Sequence, residues 1–462
     1  MASEPLAAVL QAAPRRFRPY PKYKAAGVEG LGDIPAHWQV RRLKTVAHVQ
    51  LSNVDKKSVE GDVPVRLCNY VDVYYNDHIT SAIEFMSATA TPEQRTRFSL
   101  RRGDVLITKD SESWTDIAVS AVVAEDLDDA VCGYHLAHIR PLEELDGRFL
   151  ARAFSAVGPR DQFQIAANGV TRFGLSSDAI KDGLFAVPPL PEQLAIAAFL
   201  DRETAKIDTL VAKKERVIEL LQEKRTALIT QAVSKGLVPS VPKKDSGVEW
   251  LGEIPAHWVV KRLWHLTPTD RRIMYGIVLP GPNVDDGVPI VKGGDVSAER
   301  LRLEQLNRTT VEIESRFARS RLKGSDLVYA IRGSIGEVEM VPDELEGANL
   351  TQDAARVAYT SEYYGKWLLF TLRSRPVFAQ LEAGALGATI RGINIRDLKR
   401  ALIPVPPKDE QVEIANALTV RSARIERLIR TVAEGIDRAR EFRSALSSAA
   451  VTGKIDVREV PA

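Results

Sequence analysis

The chain has 462 residues, 45% of them hydrophobic and 27% charged, a balance that supports buried cores and excludes disorder as the whole description. Sixty-three Lys and Arg stand against 61 Asp and Glu, for a formal net charge of +2. Bulk charge therefore does not mark a nucleic-acid binder, and any basic face must come from local clustering.

The first stretch, MASEPLAAVLQAAPRR, lacks a basic start before its short apolar run and makes a poor secretion signal. No apolar run approaches the roughly 18 residues of a membrane span. The two cysteines, Cys68 and Cys132, are too few for a disulfide scaffold or a Cys-rich zinc site, and a reduced compartment fits them. A cytoplasmic location is the expectation.

An internal repeat organises the chain. Residues 27–43 read GVEGLGDIPAHWQVRRL and residues 247–263 read GVEWLGEIPAHWVVKRL, with 13 of 17 positions identical at an offset of 220. The far borders also match. NGVTRFGLSSDAIKDGLFAVPPLPEQ recurs as LGATIRGINIRDLKRALIPVPPKDEQ at an offset of 218. Gly169, Thr171 and Gly174 align with Gly387, Thr389 and Gly392, and Glu192-Gln193 with Glu410-Gln411. Between the borders, residues 44–165 and 264–385 share little. The frame is repeated and the contents differ, as two readers of different targets require.

Within the first module, VPVRL, DVLIT, AVSAVVA and CGYHLAHIR read as strands of a mixed sheet and GRFLARAFSAV as a helix. After Pro191 no Gly or Pro occurs until Gly236, so a long helix is predicted. Leu200, Ile207, Leu221 and Leu228 repeat by sevens on one line, which Lys214 interrupts. Leu210 and Val217 lie on the next. Heptads held over several turns argue for a coiled-coil seam. The linker PSVPKKDS comes after this helix. In the second module, VPIVKGG, DLVYAIRG, GEVEMVP and AARVAYT read as strands and GKWLLFTLRS as a helix. The closing helix carries Leu418, Ile425, Val432, Ala439 and Leu446, with Leu428 and Phe442 beside them and Gly435 as a weak spot.

A helix of about 40 residues is about 60 Å long, whereas the ten-residue linker reaches about 35 Å at most. Parallel helices would strand the second module, so an antiparallel pair is predicted. The expected architecture is α+β: two globular α+β domains at opposite ends of a pair of long antiparallel coiled-coil helices, with a pseudo-two-fold internal repeat. The divisions are an N-terminal extension (1–26), a first domain (27–190), a first long helix (191–236), a linker (237–246), a second domain (247–408), a second long helix (409–452) and a tail (453–462).

Loops after the strands hold the candidate DNA-binding residues. In the first domain these are Lys109, Asp110 and Ser111, then Asn168, Thr171 and Arg172 around Gly169. In the second they are Lys292 beside Gly293 and Gly294, Arg332 and Ser334 around Gly333, then Thr389, Arg391 and Asn394. Glycine lets backbone approach a ligand. Lys and Arg neutralise phosphates or contact guanine, and Asn pairs with adenine in the major groove. Catalytic motifs are missing. Val-Pro-Pro-Leu and Val-Pro-Pro-Lys lack both flanks of an adenine methyltransferase motif. Neither a Gly-x-Gly-x-x-Gly nor a Gly-x-x-x-x-Gly-Lys loop occurs. Asp397-Leu-Lys399 resembles a nuclease acid-x-Lys piece, but its counterpart Ala179-Ile180-Lys181 has no acid. His37-Trp38 and His257-Trp258 have no further ligand at metal spacing and fit a packing role at the domain entrance.

GVEWLGEIPAHW at the opening, a G-x-T stretch leading to PxPPxxEQ, and then a long helix, twice over, resemble the specificity subunit of type I restriction–modification systems. The resemblance implies a target recognition domain in each module and helices that act as a spacer. It implies binding to double-stranded DNA at a bipartite asymmetric site, with two methyltransferase subunits clamped on and restriction–translocase subunits able to join. Adenine methylation with S-adenosylmethionine, and any use of Mg2+ and ATP, would belong to those partners, with no cofactor in this chain. The second module departs at VPPKDEQ, against VPPLPEQ in the first. A helix of about 60 Å bounds the distance between half-site centres at about 18 base pairs. The alternative in another class is a coiled-coil adaptor that joins proteins without sequence-specific DNA binding.

Overall fold

The computed structural model describes residues 17–28, 30–384 and 392–458. The chain forms two compact units, one of residues 1–214 with 434–462 and one of residues 215–433. Each is mixed helix and sheet, and each takes part of both long helices.

The first unit contains β1 (Tyr23–Ala25), β2 (Asp33–Pro35), β3 (Gln39–Arg42), β4 (Ala47–Leu51), β5 (Val63–Cys68), α1 (Tyr70–Tyr75), β6 (His78–Ile79), β7 (Met86–Ala90), α2 (Pro92–Phe98), β8 (Ser99–Leu100), β9 (Val105–Thr108), β10 (Asp110–Ser111), β11 (Ser120–Val123), β12 (Leu127–Cys132), β13 (Leu136–Pro141), α3 (Gly147–Phe154), α4 (Pro159–Ala166), β14 (Phe173–Gly174), α5 (Ser177–Lys181) and β15 (Leu184–Val187). The helix α6 (Leu190–Lys235) runs from this unit into the other. Two sheets stack, with orders β4-β13-β9-β11-β6 and β7-β5-β12-β8. The period of two in a strand explains the layers. Val105 and Ile107 point to the core shared with α3, α4 and the long helices, while Leu106 points to the core between the sheets. Cys68 and Cys132 sit opposite each other in the second sheet as buried free thiols.

The second unit contains β16 (Lys243–Asp245), β17 (Glu253–Pro255), β18 (Val259–Arg262), β19 (Met274–Tyr275), β20 (Val288–Val291), β21 (Asn307–Thr309), α7 (Val311–Ser315), β22 (Leu327–Ala330), β23 (Val338–Met340), β24 (Asn349–Leu350), β25 (Ala354–Val357), α8 (Gly365–Leu372), α9 (Arg375–Gly384), α10 (Ile395–Arg400) and β26 (Leu402–Val405). After it comes α11 (Lys408–Val451), which returns to the first unit. Its sheets are smaller, β19-β25-β22-β23 and β21-β20-β24. Leu327 and Tyr329 face the helical core, and Val328 and Ala330 the inter-sheet core.

The repeated frame extends beyond the identical residues. Tyr23–Ala25, upstream of the matched block, pairs with β2. Lys243–Asp245, in the stretch read as a linker, pairs with β17 in the same register. Both modules then join their borders, β3 to β15 and β18 to β26.

In each unit the Glu-Gln pair closes the frame. Glu192 accepts the Trp38 indole N–H at 2.9 Å and the Tyr20 hydroxyl at 2.6 Å, and its other oxygen lies 2.8 Å from His37 Nε2. Burial, and then the Glu192 carboxylate, push the Tyr20 hydroxyl above its ordinary 10.0, so it stays a donor. Gln193 accepts from Asp146 N and donates to the carbonyls of Glu144 and Pro188. Glu410 meets Trp258 Nε1 at 2.8 Å and His257 Nε2 at 2.6 Å, and Gln411 accepts from Tyr364 N and donates to Pro406 O. Trp38 and Trp258 are fully buried, a packing role. Each long helix also ends on a hairpin: Lys235 Nζ donates to Glu253 O, and Lys454, just past α11, donates to Asp33 O.

Within each unit the helix segments run antiparallel. In the first, Arg443 meets Asp208 and Lys214 lies over Gly435. In the second, Arg225 meets Glu426, and Ile229 and Val233 share a core with Ile414 and Leu418. The two irregularities of the heptads answer each other. Lys214 Nζ lies 2.8 Å from where a β-carbon on Gly435 would stand. Leu200, Leu418, Ile425 and Leu446 are buried, and Ile207, Leu221, Leu228, Val432 and Phe442 half-buried. Leu210, Val217 and Leu428 are 47%, 43% and 46% exposed, so these three lie outside the seam. The 3.6-residue helical period turns a strict seven-residue line slowly away from its partner. Among the described residues no helix is long and apolar enough to cross a membrane.

At the entry to β9, Asp104 is buried with Arg140 Nη2 at 2.7 Å, His138 Nε2 at 2.8 Å and the Arg101 N–H at 2.9 Å. Burial alone would raise its pKa. Arg140 and His138 outweigh it and hold the carboxyl below its ordinary 3.8. That stability is present above pH 3.8 and lost as pH falls through the depressed value. Calorimetry should show the melting transition of the first unit dropping below pH 3.8, and dropping less in Asp104→Asn. Glu192→Ala strands three donors and is expected to cost about 3–5 kcal/mol. Glu410→Ala should cost less, because Glu410 is 37% exposed and has two partners. Thermal melts of the two variants should rank in that order.

Candidate nucleic-acid interface

Strand order brings four loops of the first unit to one end of its sheets. Leu136 pairs with Thr108, so the segment before β13 lies beside the segment after β9. Cys132 pairs in parallel with Cys68, so the segments after β12 and β5 leave together. The fourth loop joins through β10 and β14, with Asp110 opposite Gly174 and Asn168 bridged to Gly174 by two backbone hydrogen bonds. Gly169 turns there at φ +147°, and a β-carbon on it would stand 1.9 Å from Arg172 O.

Asp110 is the hub of this cluster. Its Oδ1 lies 2.6 Å from Arg172 Nη2 and 2.8 Å from His135 Nδ1, and its Oδ2 lies 3.5 Å from Lys109 Nζ. The Lys109 ammonium also sits 4.4 Å above the Tyr134 ring, a cation–π contact. Lys109 and Asp110 are each 14% exposed at the side chain, whereas Arg172 is 55% exposed. Only one Arg172 nitrogen is given to Asp110 and His135, so the rest of the fork is presented outward. Ser111 is buried. Its hydroxyl accepts the Ser113 N–H and lies 3.4 Å from Tyr70 Oη, which makes it a support beneath the surface. Thr171 is exposed. On α1, Tyr70 stacks on Tyr74, and Tyr75 meets Tyr74 edge-on. Asp116 beside Tyr74 raises the phenol pKa.

The second unit has the same loop positions and different chemistry. After β20, Lys292 N donates to the Asp295 carboxylate at 2.9 Å, as Asn69 N does to Asp72 in the first unit. Gly293 backs onto the Arg332 carbonyl, where a β-carbon would stand 2.1 Å away. Arg332 N donates to Asp353 O, and Ile393 N to Ile331 O. These contacts bring together the Lys292, Arg332 and Gly392 segments. Arg332 is 49% exposed with Asp353 at 4.0 Å, and Ser334 is exposed. Asn394 caps α10, its Oδ1 accepting the Arg396 N–H at 2.8 Å. Ser176, its counterpart, caps α5 by accepting the Ala179 N–H. Capping thus accounts for Asn394 as a fold residue. Thr389 and Arg391 lie outside the described residues. Tyr70, Tyr74, Tyr134 and His135 in the first unit, and Arg300 donating to Gly294 O in the second, belong to these clusters beyond the residues singled out from sequence. Their signal is position: each lies in or beside a segment leaving the same strand ends as Lys109 or Lys292. Among the described residues no group of three or more His, Cys, Asp or Glu side chains could hold a metal ion.

A family model described as the type I restriction modification DNA specificity domain matches residues 35–220 and again 283–434. The chain belongs to this family. Among its relatives, the specificity subunit of the type I restriction enzyme EcoBI from Escherichia coli is 26% identical over 321 residues, 68% of either chain. The fold matches a solved chain described as the structural basis underlying complex assembly and conformational transition of the type I R-M system. That match has a TM-score of 0.61 at 18% identity and covers 90% of this chain and 98% of that one. It also matches the HsdS subunit from Thermoanaerobacter tengcongensis, with a TM-score of 0.50 at 17% identity, covering 91% and 98%. As a specificity subunit of a type I restriction–modification system, the chain serves DNA recognition and is not itself the catalyst.

Gly169→Ala should displace the turn of residues 168–174 at a cost of about 1–3 kcal/mol. Hydrogen exchange is expected to quicken over that turn while the clasp around Glu192 keeps its protection.

Proposed function

We propose that each unit reads one half of a bipartite, asymmetric DNA site through its loop cluster, and that the long helices set the gap and carry two methyltransferase subunits. The observation that carries this reading is one frame holding two chemically different clusters. In the first unit Arg172 is braced by Asp110 and His135. In the second Arg332 stands among glycines, and among the described residues its carboxylate partner is Asp353 at 4.0 Å. A fork held at one nitrogen is suited to guanine O6 and N7, the commonest specific contact in the major groove. Lys109, half engaged with Tyr134, and Lys292 serve phosphate or base edges nearby, and Thr171 and Ser334 add hydroxyls. By their place in the sequence, Thr389 and Arg391 would complete the second cluster. Methyl transfer to adenine with S-adenosylmethionine, and DNA cleavage or translocation with Mg2+ and ATP, are assigned to partner subunits, and this chain supplies the address. Support comes from family membership and from the absence of methyltransferase and nucleotide-binding motifs in the sequence.

The test is to express the chain with its methyltransferase subunits in a host without adenine methylation and map methylated adenines across the genome. The expected result is one split consensus. Arg172→Ala should relax one position in one half, and Arg332→Ala one position in the other, each costing about 1–3 kcal/mol of discrimination. Parallel changes in both halves in either variant would refute independent readers.

A further inference from the structure

Beside the loop cluster of the second unit is an open cleft of about 330 Å³ between β19, α10 and the segment after α7. Tyr275, Phe317 and Ile395 wall it, and Arg316, Arg319 and Lys399 supply its charge. Among the described residues no carboxylate lines it. Arg316 and Arg319 are exposed, and neither side chain makes a hydrogen bond or ion pair with another described residue.

A fourth cation lies underneath. Arg356, 2% exposed, stands opposite Met274 in the pairing of β25 with β19. Its Nη1 donates to the carbonyls of Arg319 and Arg321 at 2.8 Å and its Nη2 to Arg272 O at 3.2 Å, while Nε is buried without a partner among the described residues. Thus Arg356 fastens the segment that carries Arg316 and Arg319, and it does so without a carboxylate of its own. The first unit shows the contrast. His138 holds the matching place in β13 and meets Asp104. In the second unit the corresponding Asp326 is taken by both Arg271 nitrogens. Burial, then the charge of Arg271, push the Arg356 pKa down and outweigh the opposing pull of Asp326 and Asp270.

Shape and chemistry name the class of ligand. The cleft is open, its cations are spread along a loop and a helix, and the rings of Tyr275 and Phe317 between them suit a sugar. α10 begins three residues after Gly392, which packs on the Arg332 side chain, so the cleft continues from the reading loops. We propose that this cleft seats the phosphodiester backbone of duplex DNA next to the half-site read by the second unit. The proposal rests on the half-site reading above and adds an anchor that carries no sequence information of its own.

The experiment measures binding of the chain, assembled with its methyltransferase subunits, to a duplex bearing the mapped consensus and to a scrambled duplex, over a salt series. Arg316→Gln, Arg319→Gln and Lys399→Gln should each weaken both duplexes by the same factor, about three- to ten-fold, and lower the salt slope by about 0.9. The methylation consensus should keep every letter. Arg356→Met should weaken both duplexes likewise, and if it fails to fold the three surface variants decide. Unchanged affinity and slope in those variants would overturn the anchor, as would a loss confined to the consensus duplex. A wild-type assembly that binds both duplexes equally would refute half-site reading, yet the common loss in the variants would still register the backbone seat.

Discussion

One carboxylate per module, Glu192 buried and Glu410 partly exposed, holds the frame together. Glu192 gathers an indole, a phenol and an imidazole, and Glu410 an indole and an imidazole. The indoles and imidazoles come from the opening motif and the phenol, Tyr20, from just upstream of it, while the glutamate stands at the root of a long helix. The pair therefore joins the two ends of a module about 150 residues apart in sequence. A charge out of water is tolerable only when its lone pairs are satisfied, so the motif residues are bound to one another by mutual need. The glutamine beside each glutamate does the same for backbone groups, tying the helix start to the loop before α3 or α8.

Above this common frame the two units solve the same problems differently. Both enter the central strand through a turn whose aspartate accepts a backbone N–H from three residues earlier, Asp104 from Arg101 and Asp326 from Lys323. The first unit neutralises its aspartate with a neighbouring histidine and arginine of β13, the second with Arg271 from a loop. That exchange frees the β25 position for Arg356 and leaves the second unit with excess positive charge beneath its surface. The first unit instead places a carboxylate, Asp110, among its outward cations. One cluster is braced and specific in direction, and the other is open and attractive to anions.

Much of this is legible in the residues. The duplication, the strand runs, the long helices and the loops bearing Lys109, Arg172, Lys292 and Arg332 all derive from identity, periodicity and turn chemistry. The rest depends on strand order. Tyr134 and His135 join Lys109 only because β13 pairs with β9, and α1 joins them only because β5 and β12 run parallel. No local pattern encodes those pairings. Heptad spacing does not tell seam from surface, which is why Leu210 and Leu428 read like Leu200 and Leu446 yet lie outside. The amide of Asn394 suits a base edge on its chemistry alone, whereas its position one residue before α10 gives it a helix end to satisfy.

The clasp has an evolutionary corollary. Because the residues that meet Glu192 and Glu410 stand at or before the opening of each module, the contents between the borders can differ without changing those contacts. The 13 identical positions in the opening block give both modules the same attachment to that clasp. A chain that keeps these borders could exchange one reading domain for another, taking a new address while its spacer stays as it is.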